Sequence, residues 1–133
     1  MTVKTGRGYV YAIQYHIVWC VKYRRQIITK QIERTLFDII NKIAKEHDFE
    51  IAEMNTDLDH VHLLIECSPQ HYIPDIMKAI KGVSGRLIMK EYGSELKDKL
   101  YNDHLWNPSY FIATVSENTE QQVREYIKNQ KEA

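Results

Sequence analysis

Hydrophobic and polar residues alternate from Tyr9 to Val21, and the stretch is rich in β-branched and aromatic side chains. A period of two residues predicts one long β-strand here. The apolar positions that follow are spaced by three and four residues, which predicts a helix over about residues 30–46. Thr29 is suited to cap its first turn. The apolar positions of this helix are Ile32, Leu36, Ile39, Ile40 and Ile43.

Two further strand-like stretches cover residues 49–55 and 60–67, and the turn-forming residues 56–59 between them predict a hairpin. Pro74 favours the first turn of a second helix. Gly82 and Gly85 weaken that helix locally. Its apolar positions are Ile73, Ile76, Met77, Ile80, Val83, Leu87 and Ile88.

The last third of the chain predicts an irregular segment over 93–108, a strand over Tyr110–Val115 and a final helix to about residue 131. The candidate caps of that helix are Ser116, Asn118 and Thr119. The predicted order is β-α-β-β-α-β plus a C-terminal helix. This is the ferredoxin-like α+β arrangement, an antiparallel sheet with helices on one face.

Composition is that of a soluble globular protein: 44% of the residues are hydrophobic and 27% are charged. With 133 residues and no repeat or linker, we expect a single domain over 1–133. No apolar stretch approaches the ~20 residues that span a bilayer, and the first residues lack an apolar signal core, so we expect a cytoplasmic protein. Cys20 and Cys67 lie in apolar stretches and are expected to be buried, reduced thiols.

The net charge is zero, but the charges are segregated along the chain. Residues 1–30 hold six basic and no acidic groups, residues 31–77 hold three basic and ten acidic groups, and residues 78–90 are again purely basic. Two cationic blocks in a neutral chain favour a local site for a polyanion such as nucleic acid, although solvated surfaces also carry such clusters.

Two histidines stand two residues apart in the predicted strand over 60–67. Side chains at this spacing share one face of a strand, so His60 and His62 project together while Val61, Leu63 and Ile65 face the core. Two neutral imidazoles form half of a divalent-metal site, and they also occur on ordinary half-exposed strands.

Tyr126 and Gln130 are four residues apart on the predicted final helix and therefore share a face. A phenol and an amide oxygen in this position offer a nucleophile and an oxygen ligand. With nine tyrosines in the chain, packing of a terminal helix is an equally ordinary role for Tyr126.

Together these two motifs resemble those of a known family, the single-tyrosine HUH transposases of small insertion sequences that move as single-stranded DNA. His60-Val61-His62 resembles the His-hydrophobic-His signature, and Tyr126 with Gln130 resembles the C-terminal Tyr-x-x-x-Gln signature. The resemblance covers nearly the whole chain. Its other ordered blocks are His16–Trp19, Lys22–Arg25, Lys81–Leu87 and Trp106–Phe111.

The resemblance implies a reaction and a ligand set. Tyr126 would be the nucleophile that cleaves single-stranded DNA through a 5′-phosphotyrosine, and His60, His62 and Gln130 would hold Mg²⁺ or Mn²⁺. No ATP is needed, which agrees with the absence of a P-loop pattern. The implied partners are single-stranded DNA with hairpins at the element ends and a second copy of the chain, with active sites shared between the subunits of a homodimer.

The cationic blocks supply candidate DNA contacts, because Lys and Arg bind phosphates. These candidates are Lys22, Arg24, Arg25, Lys78, Lys81, Arg86 and Lys90. The main alternative is a non-catalytic ferredoxin-like domain that binds RNA or DNA. The aromatic first strand and the basic blocks also favour such a domain. A replication nickase with the same motif and a small-molecule regulatory domain are further alternatives.

Overall fold

The computed structural model describes residues 4–6, 9–11, 13–100, 104–115 and 119–130. A four-stranded antiparallel sheet is the centre of the fold. Its strands are β3 (Ile13–Cys20), β4 (Glu50–Thr56), β5 (His60–Cys67) and β6 (Phe111–Thr114), in the order β4-β5-β3-β6. A separate two-stranded hairpin pairs β1 (Lys4–Gly6) with β2 (Tyr9–Tyr11).

The described residues also form three α-helices, α1 (Lys30–His47), α2 (Ile73–Leu96) and α3 (Thr119–Gln130), and a short 3-10 turn over Lys22–Arg24. The hydroxyl of Thr29 caps α1 by accepting from the amide of Ile32 at 3.3 Å, as predicted. Pro74 stands in the first turn of α2, also as predicted. The β-α-β-β-α-β order is confirmed, and among the described residues no helix is both long and apolar enough to cross a membrane.

Two sequence predictions are wrong in their extent. The strand predicted over Tyr9–Val21 is split, because Tyr9–Tyr11 pairs with Lys4–Gly6 rather than joining the main sheet. The irregular segment predicted from residue 93 begins later, because α2 continues to Leu96. Tyr92 and Leu96 are buried one turn apart, and their burial outweighs the weak helix propensity of Gly93. Of the predicted caps of α3, Ser116 and Asn118 lie outside the described residues.

The sheet has two faces with different roles. Ile17, Trp19, Val61, Leu63 and Ile65 point to one side and form the core with α1 and α2; we call this the helix face. Residues directly opposite each other in an antiparallel pair share a face. His60 and His62 therefore lie on the other side of the sheet, together with Cys20 and Val18, which are opposite them in β3; we call this side the site face. The predicted division of β5 into core and histidine faces is confirmed.

Candidate active site

The two histidines of β5 lie side by side on the site face. Their ring centroids are 4.6 Å apart, and the ring of His16 lies 5.8 Å from that of His62. His62 lines a cleft of about 270 Å³ with Glu53, Asn55 and Leu64. His60 is buried, with 8% of its surface exposed. The structure thus brings His60 and His62 together and adds His16, whose sequence position indicates only that it belongs to one of the family blocks.

The surroundings of the two histidines differ. Burial, assisted by His60 and His16, lowers the pKa of His62 to about 4. Nδ1 of His60 donates to Oδ1 of Asp59 at 2.6 Å, which fixes the orientation of the His60 ring. A carboxylate behind an imidazole is the usual support of a metal-bound histidine. This donor set fits a divalent metal ion.

The histidines do not complete a metal site by themselves. Within the part of the chain that the structure describes, no three His, Cys, Asp or Glu side chains are grouped closely enough to hold an ion. The amide oxygen of Gln130 is the further ligand that the sequence predicts. That assignment of Gln130 stays a prediction.

Helix α3 places Tyr126 over the site face. The ring of Tyr126 lies 5.8 Å from that of Phe111, and Phe111 is opposite Val18, which is in turn opposite His62. Val123 is the buried side chain among residues 121–130 of this helix. Helices α1 and α2 cover the helix face, so α3 packs on the opposite side of the sheet from them.

A serine joins the two candidate residues of α3. Oγ of Ser109 lies 2.8 Å from the hydroxyl oxygen of Tyr126, 3.0 Å from Oδ1 of Asn107 and 3.2 Å from Oε1 of Gln130, and its one proton is donated to one of these oxygens at a time. Burial raises the pKa of the Tyr126 phenol, and the hydrogen bond with Ser109 partly opposes this. Tyr126 and Gln130 therefore sit together as the helical spacing predicted. Ser109 was missed as a site residue because it is a loop residue 17 positions away.

Lysine 81 fixes the loop that carries this serine. Its Nζ donates to the backbone carbonyl of Asn107 at 2.6 Å and to that of Ser109 at 2.9 Å. Burial lowers the pKa of Lys81 to about 8. The charge pattern had marked Lys81 as a phosphate contact, whereas its ammonium group is engaged with the loop.

The remaining cationic candidates fall into two groups. Lys78, Arg86 and Lys90 form an exposed stripe on α2, which lies on the far side of the sheet from the histidines. Lys22, Arg24 and Arg25 follow the end of β3. Lys22 lies over the ring of Tyr23 at 5.6 Å, and Arg25 is exposed. The guanidinium of Arg24 binds Asp59, with 2.9 Å between Nε and Oδ2.

The antiparallel sheet, the paired histidines on one face and the tyrosine helix over that face match the single-tyrosine HUH transposases. A family model described as "Transposase IS200 like" matches residues 9–130, and the chain belongs to this family. Its resemblance to the family, inferred from the sequence blocks, is confirmed.

Curated relatives agree with this assignment. The chain is 48% identical over 130 residues to the ISDra2 transposase TnpA of Deinococcus radiodurans, a match that covers 98% of this chain and 92% of the relative. It is 34% identical over 119 residues to the transposase for insertion sequence element IS200 of Salmonella typhimurium, covering 90% of this chain and 77% of the relative.

Solved structures share the fold. A crystal structure of a protein assigned as a transposase from Deinococcus radiodurans R1 superposes with a TM-score of 0.88 at 42% identity, over 96% of this chain and 97% of the other. A REP-associated tyrosine transposase bound to a REP hairpin superposes with a TM-score of 0.59 at 15% identity, over 98% and 76% of the two chains. The second likeness is one of fold.

Proposed function

We propose that this transposase cleaves and rejoins single-stranded DNA at the ends of its insertion sequence, with Tyr126 as the nucleophile. The observation that carries the proposal is the position of Tyr126. The tyrosine packs on Phe111, on the same face of the sheet as His60 and His62. A phenol, two imidazoles and an amide oxygen are the groups that a metal-assisted phosphoryl transfer through tyrosine requires.

The proposed chemistry is a transesterification in two stages. The Tyr126 oxygen attacks a backbone phosphorus, a P–O bond to tyrosine forms, and the bond to the 3′ oxygen breaks. The departing 3′ oxygen takes up the proton that the phenol loses and leaves as a 3′-hydroxyl. A second 3′-hydroxyl then attacks the phosphotyrosine, seals the new strand and restores the phenol. The ester bond is conserved throughout, so no nucleotide triphosphate is consumed.

The phenol needs help at neutral pH, because its ordinary pKa near 10 is raised further by burial. His60, His62 and Gln130 would hold the divalent ion, Mg²⁺ or Mn²⁺, and Mn²⁺ accepts imidazole ligands readily. When bound, the ion would supply positive charge that stabilises the oxygens of the scissile phosphate. Asp59 would orient His60, and Ser109 would hold the phenol in place.

The DNA contacts are proposed to be divided between the two sides of the protein. A single strand would cross the site face, where cleavage occurs. The exposed stripe of Lys78, Arg86 and Lys90 on the outer side of α2 would hold phosphates of a hairpin stem. The fold is shared with a transposase bound to a REP hairpin, which supports hairpin recognition as the mode of binding.

We further propose that the protein acts as a homodimer. In this structure Tyr126 lies over the sheet face that carries the histidines of its own chain, and a mixing experiment tests whether the two subunits exchange their tyrosine helices. Strand β6 lies at the edge of the main sheet, next to β3, where it is placed to pair across a two-fold axis. If the sites are shared, His62→Ala and Tyr126→Phe, each inactive alone, will recover cleavage when mixed. A well-mixed heterodimer without recovery would argue for sites built within one chain.

The first experiment is a denaturing-gel assay with labelled single-stranded DNA from the element ends. A protein–DNA adduct that resists denaturant, requires Mg²⁺ or Mn²⁺ and is lost with a chelator is the expected result. The adduct is expected to vanish in Tyr126→Phe. It is expected to persist in Tyr72→Phe, a matched control at an exposed tyrosine at the start of α2.

Two outcomes would overturn parts of the proposal. An adduct that persists in Tyr126→Phe would assign the nucleophile to another residue. Tight binding of DNA that ignores metal and yields no adduct on any single strand would favour the alternative, a non-catalytic nucleic-acid-binding domain of the same fold.

A further inference from the structure

Arg24 stands between the tyrosine helix and the histidine strand. Its Nε donates to Oδ2 of Asp59 at 2.9 Å, and its Nη1 donates to the backbone carbonyl of Ile127 at 3.2 Å. Ile127 follows Tyr126 directly in α3. The side chains of Arg24 and Asp59 are 23% and 9% exposed, so this ion pair is largely shielded from water. The Arg24 guanidinium therefore contacts both the tyrosine helix α3 and the residue that precedes the histidine strand β5.

Asp59 extends the connection to the histidines. Its Oδ2 accepts from Arg24 while its Oδ1 accepts from Nδ1 of His60 at 2.6 Å. The backbone carbonyl of Asp59 also accepts from the amide of Val21 at 2.9 Å, which fixes this residue to the end of β3. An unbroken series of contacts thus runs from the tyrosine helix through Arg24 and Asp59 to the ring of His60.

The backbone that presents Arg24 is strained. Tyr23 and Arg24 have φ angles of 57° and 52°, a region that bulky residues rarely adopt. The amide of Lys22 donates to the carbonyl of Leu105 at 2.9 Å, and the amide of Arg24 donates to that of Val21 at 2.8 Å. These bonds hold the turn in its unusual shape. Such strain persists where surrounding contacts over-determine it, often at functional sites.

We infer that Arg24 is a positioning residue that couples the docking of the tyrosine helix to the orientation of His60, and that it does not serve as a phosphate contact. The inference rests on the proposed function of Tyr126 and His60. Arginine is suited to the role because its planar fork donates in two directions at once, which a lysine ammonium cannot do with the same geometry. Two of its five N–H donors are engaged and its side chain is only 23% exposed, so the group is less available to DNA phosphates than the exposed Arg25.

Hydrogen exchange of the full-length protein, without DNA or metal, tests the docking part directly. Arg24→Gln is expected to speed exchange of the α3 amides about tenfold, because a hydrogen bond to a charged group is lost. Arg25→Gln is the matched comparison, one residue away and exposed. It is expected to leave α3 exchange unchanged, to weaken DNA binding and to lower the salt dependence of binding by about one phosphate contact.

The functional part is tested by separating binding from cleavage. In Arg24→Gln we expect the single-turnover cleavage rate to fall at least tenfold, with unchanged DNA affinity and salt dependence. Asp59→Asn is expected to act in the same direction. Arg24→Lys keeps a cation beside Asp59 and is expected to fall between the wild type and Arg24→Gln. It also serves as the test variant if Arg24→Gln does not fold.

The contrary results are distinct. Unchanged α3 exchange in Arg24→Gln and Arg24→Lys would overturn the inference, as would weaker DNA binding with a smaller salt dependence. Faster exchange of the α3 amides in Arg24→Gln together with a wild-type cleavage rate would overturn the proposed coupling between helix docking and the orientation of His60. If the wild type cleaves no DNA, the proposed function fails, and the exchange experiment still decides whether Arg24 docks α3.

Discussion

Oγ of Ser109 lies 2.8 Å from the hydroxyl oxygen of Tyr126. This serine is the hydrogen-bond partner that the structure provides for the proposed nucleophile, and it also contacts Oε1 of Gln130. Because the hydrogen bond lowers the pKa of Tyr126 against the effect of burial, its loss is expected to make the phenolate harder to form.

Ser109→Ala is therefore expected to slow formation of the DNA adduct about fivefold, which corresponds to roughly 1 kcal/mol for one hydrogen bond. Single-turnover cleavage at saturating DNA measures this. Ser94→Ala, at an exposed position near the end of α2, is the control and is expected to match the wild type. A faster Ser109→Ala variant would show that the serine instead restrains the tyrosine.

Lys81 is expected to contribute to stability more than to DNA binding. Lys81→Met removes both hydrogen bonds to the carbonyls of Asn107 and Ser109, and we expect the free energy of unfolding to fall by about 1–2 kcal/mol. Lys78→Met, one turn earlier and exposed, is expected to leave stability within about 0.5 kcal/mol and to weaken DNA binding more than Lys81→Met does. Urea unfolding and DNA titrations check both statements.

The reverse pattern would show that Lys81 is a phosphate contact, as the charge pattern predicts. If Lys81→Met unfolds at the same urea concentration as the wild type while losing DNA affinity, its ammonium group leaves the two carbonyls when DNA binds.

The position of the histidines was predictable from sequence, and the contacts of the basic residues were not. A period of two residues places His60 and His62 on one face of any strand, whatever the rest of the fold. The partner of Arg24 is 35 residues away and the carbonyl it also binds is 103 residues away. A charge pattern along the chain holds no information on such contacts, so Arg24 and Lys81 were predicted only as phosphate contacts.

Register explains why the first strand was predicted too long. The alternation of Tyr9–Val21 is a local property, but a strand belongs to the sheet that supplies its partner. Lys4–Gly6 pairs with the first part and β5 with the second. No spacing within the stretch itself indicates that change of partner.

Ser84 is expected to be a stabilising polar residue of the interior. It is fully buried, and its Oγ accepts from Nε1 of Trp106 at 2.9 Å. Ser84→Ala leaves that indole N–H without its partner, so the free energy of unfolding is expected to fall by about 1–3 kcal/mol. Val83→Ala, a neighbouring half-buried position, provides a comparison for simple loss of volume. Unchanged stability in Ser84→Ala would mean that water replaces the serine.

Cys67 is expected to make stability depend on alkaline pH. Burial raises the pKa of its thiol from 9.0 to about 11, so the unfolded chain loses this proton first. The stability that the buried thiol contributes is complete below pH 9 and is lost as the pH rises towards 11. The advantage of the wild type over Cys67→Ala is therefore expected to shrink across this interval in urea unfolding.

Ile65→Val controls for the cysteine experiment, since it perturbs the same strand and the same core without an ionisable group. Its deficit relative to the wild type is expected to stay constant from pH 8 to pH 11. A constant deficit for Cys67→Ala as well would show that the thiol ionises as easily in the folded protein as in the unfolded one.

The opposite placement of the core and of α3 on the two sides of the sheet has an evolutionary consequence. Core residues and the residues of the proposed active site alternate along β5, so the two sets occupy different positions. Of the side chains described in α3, only Val123 is buried, so this helix adds little to the core. Substitutions at the exposed positions of α3 are thus expected to change that surface at little cost to the core.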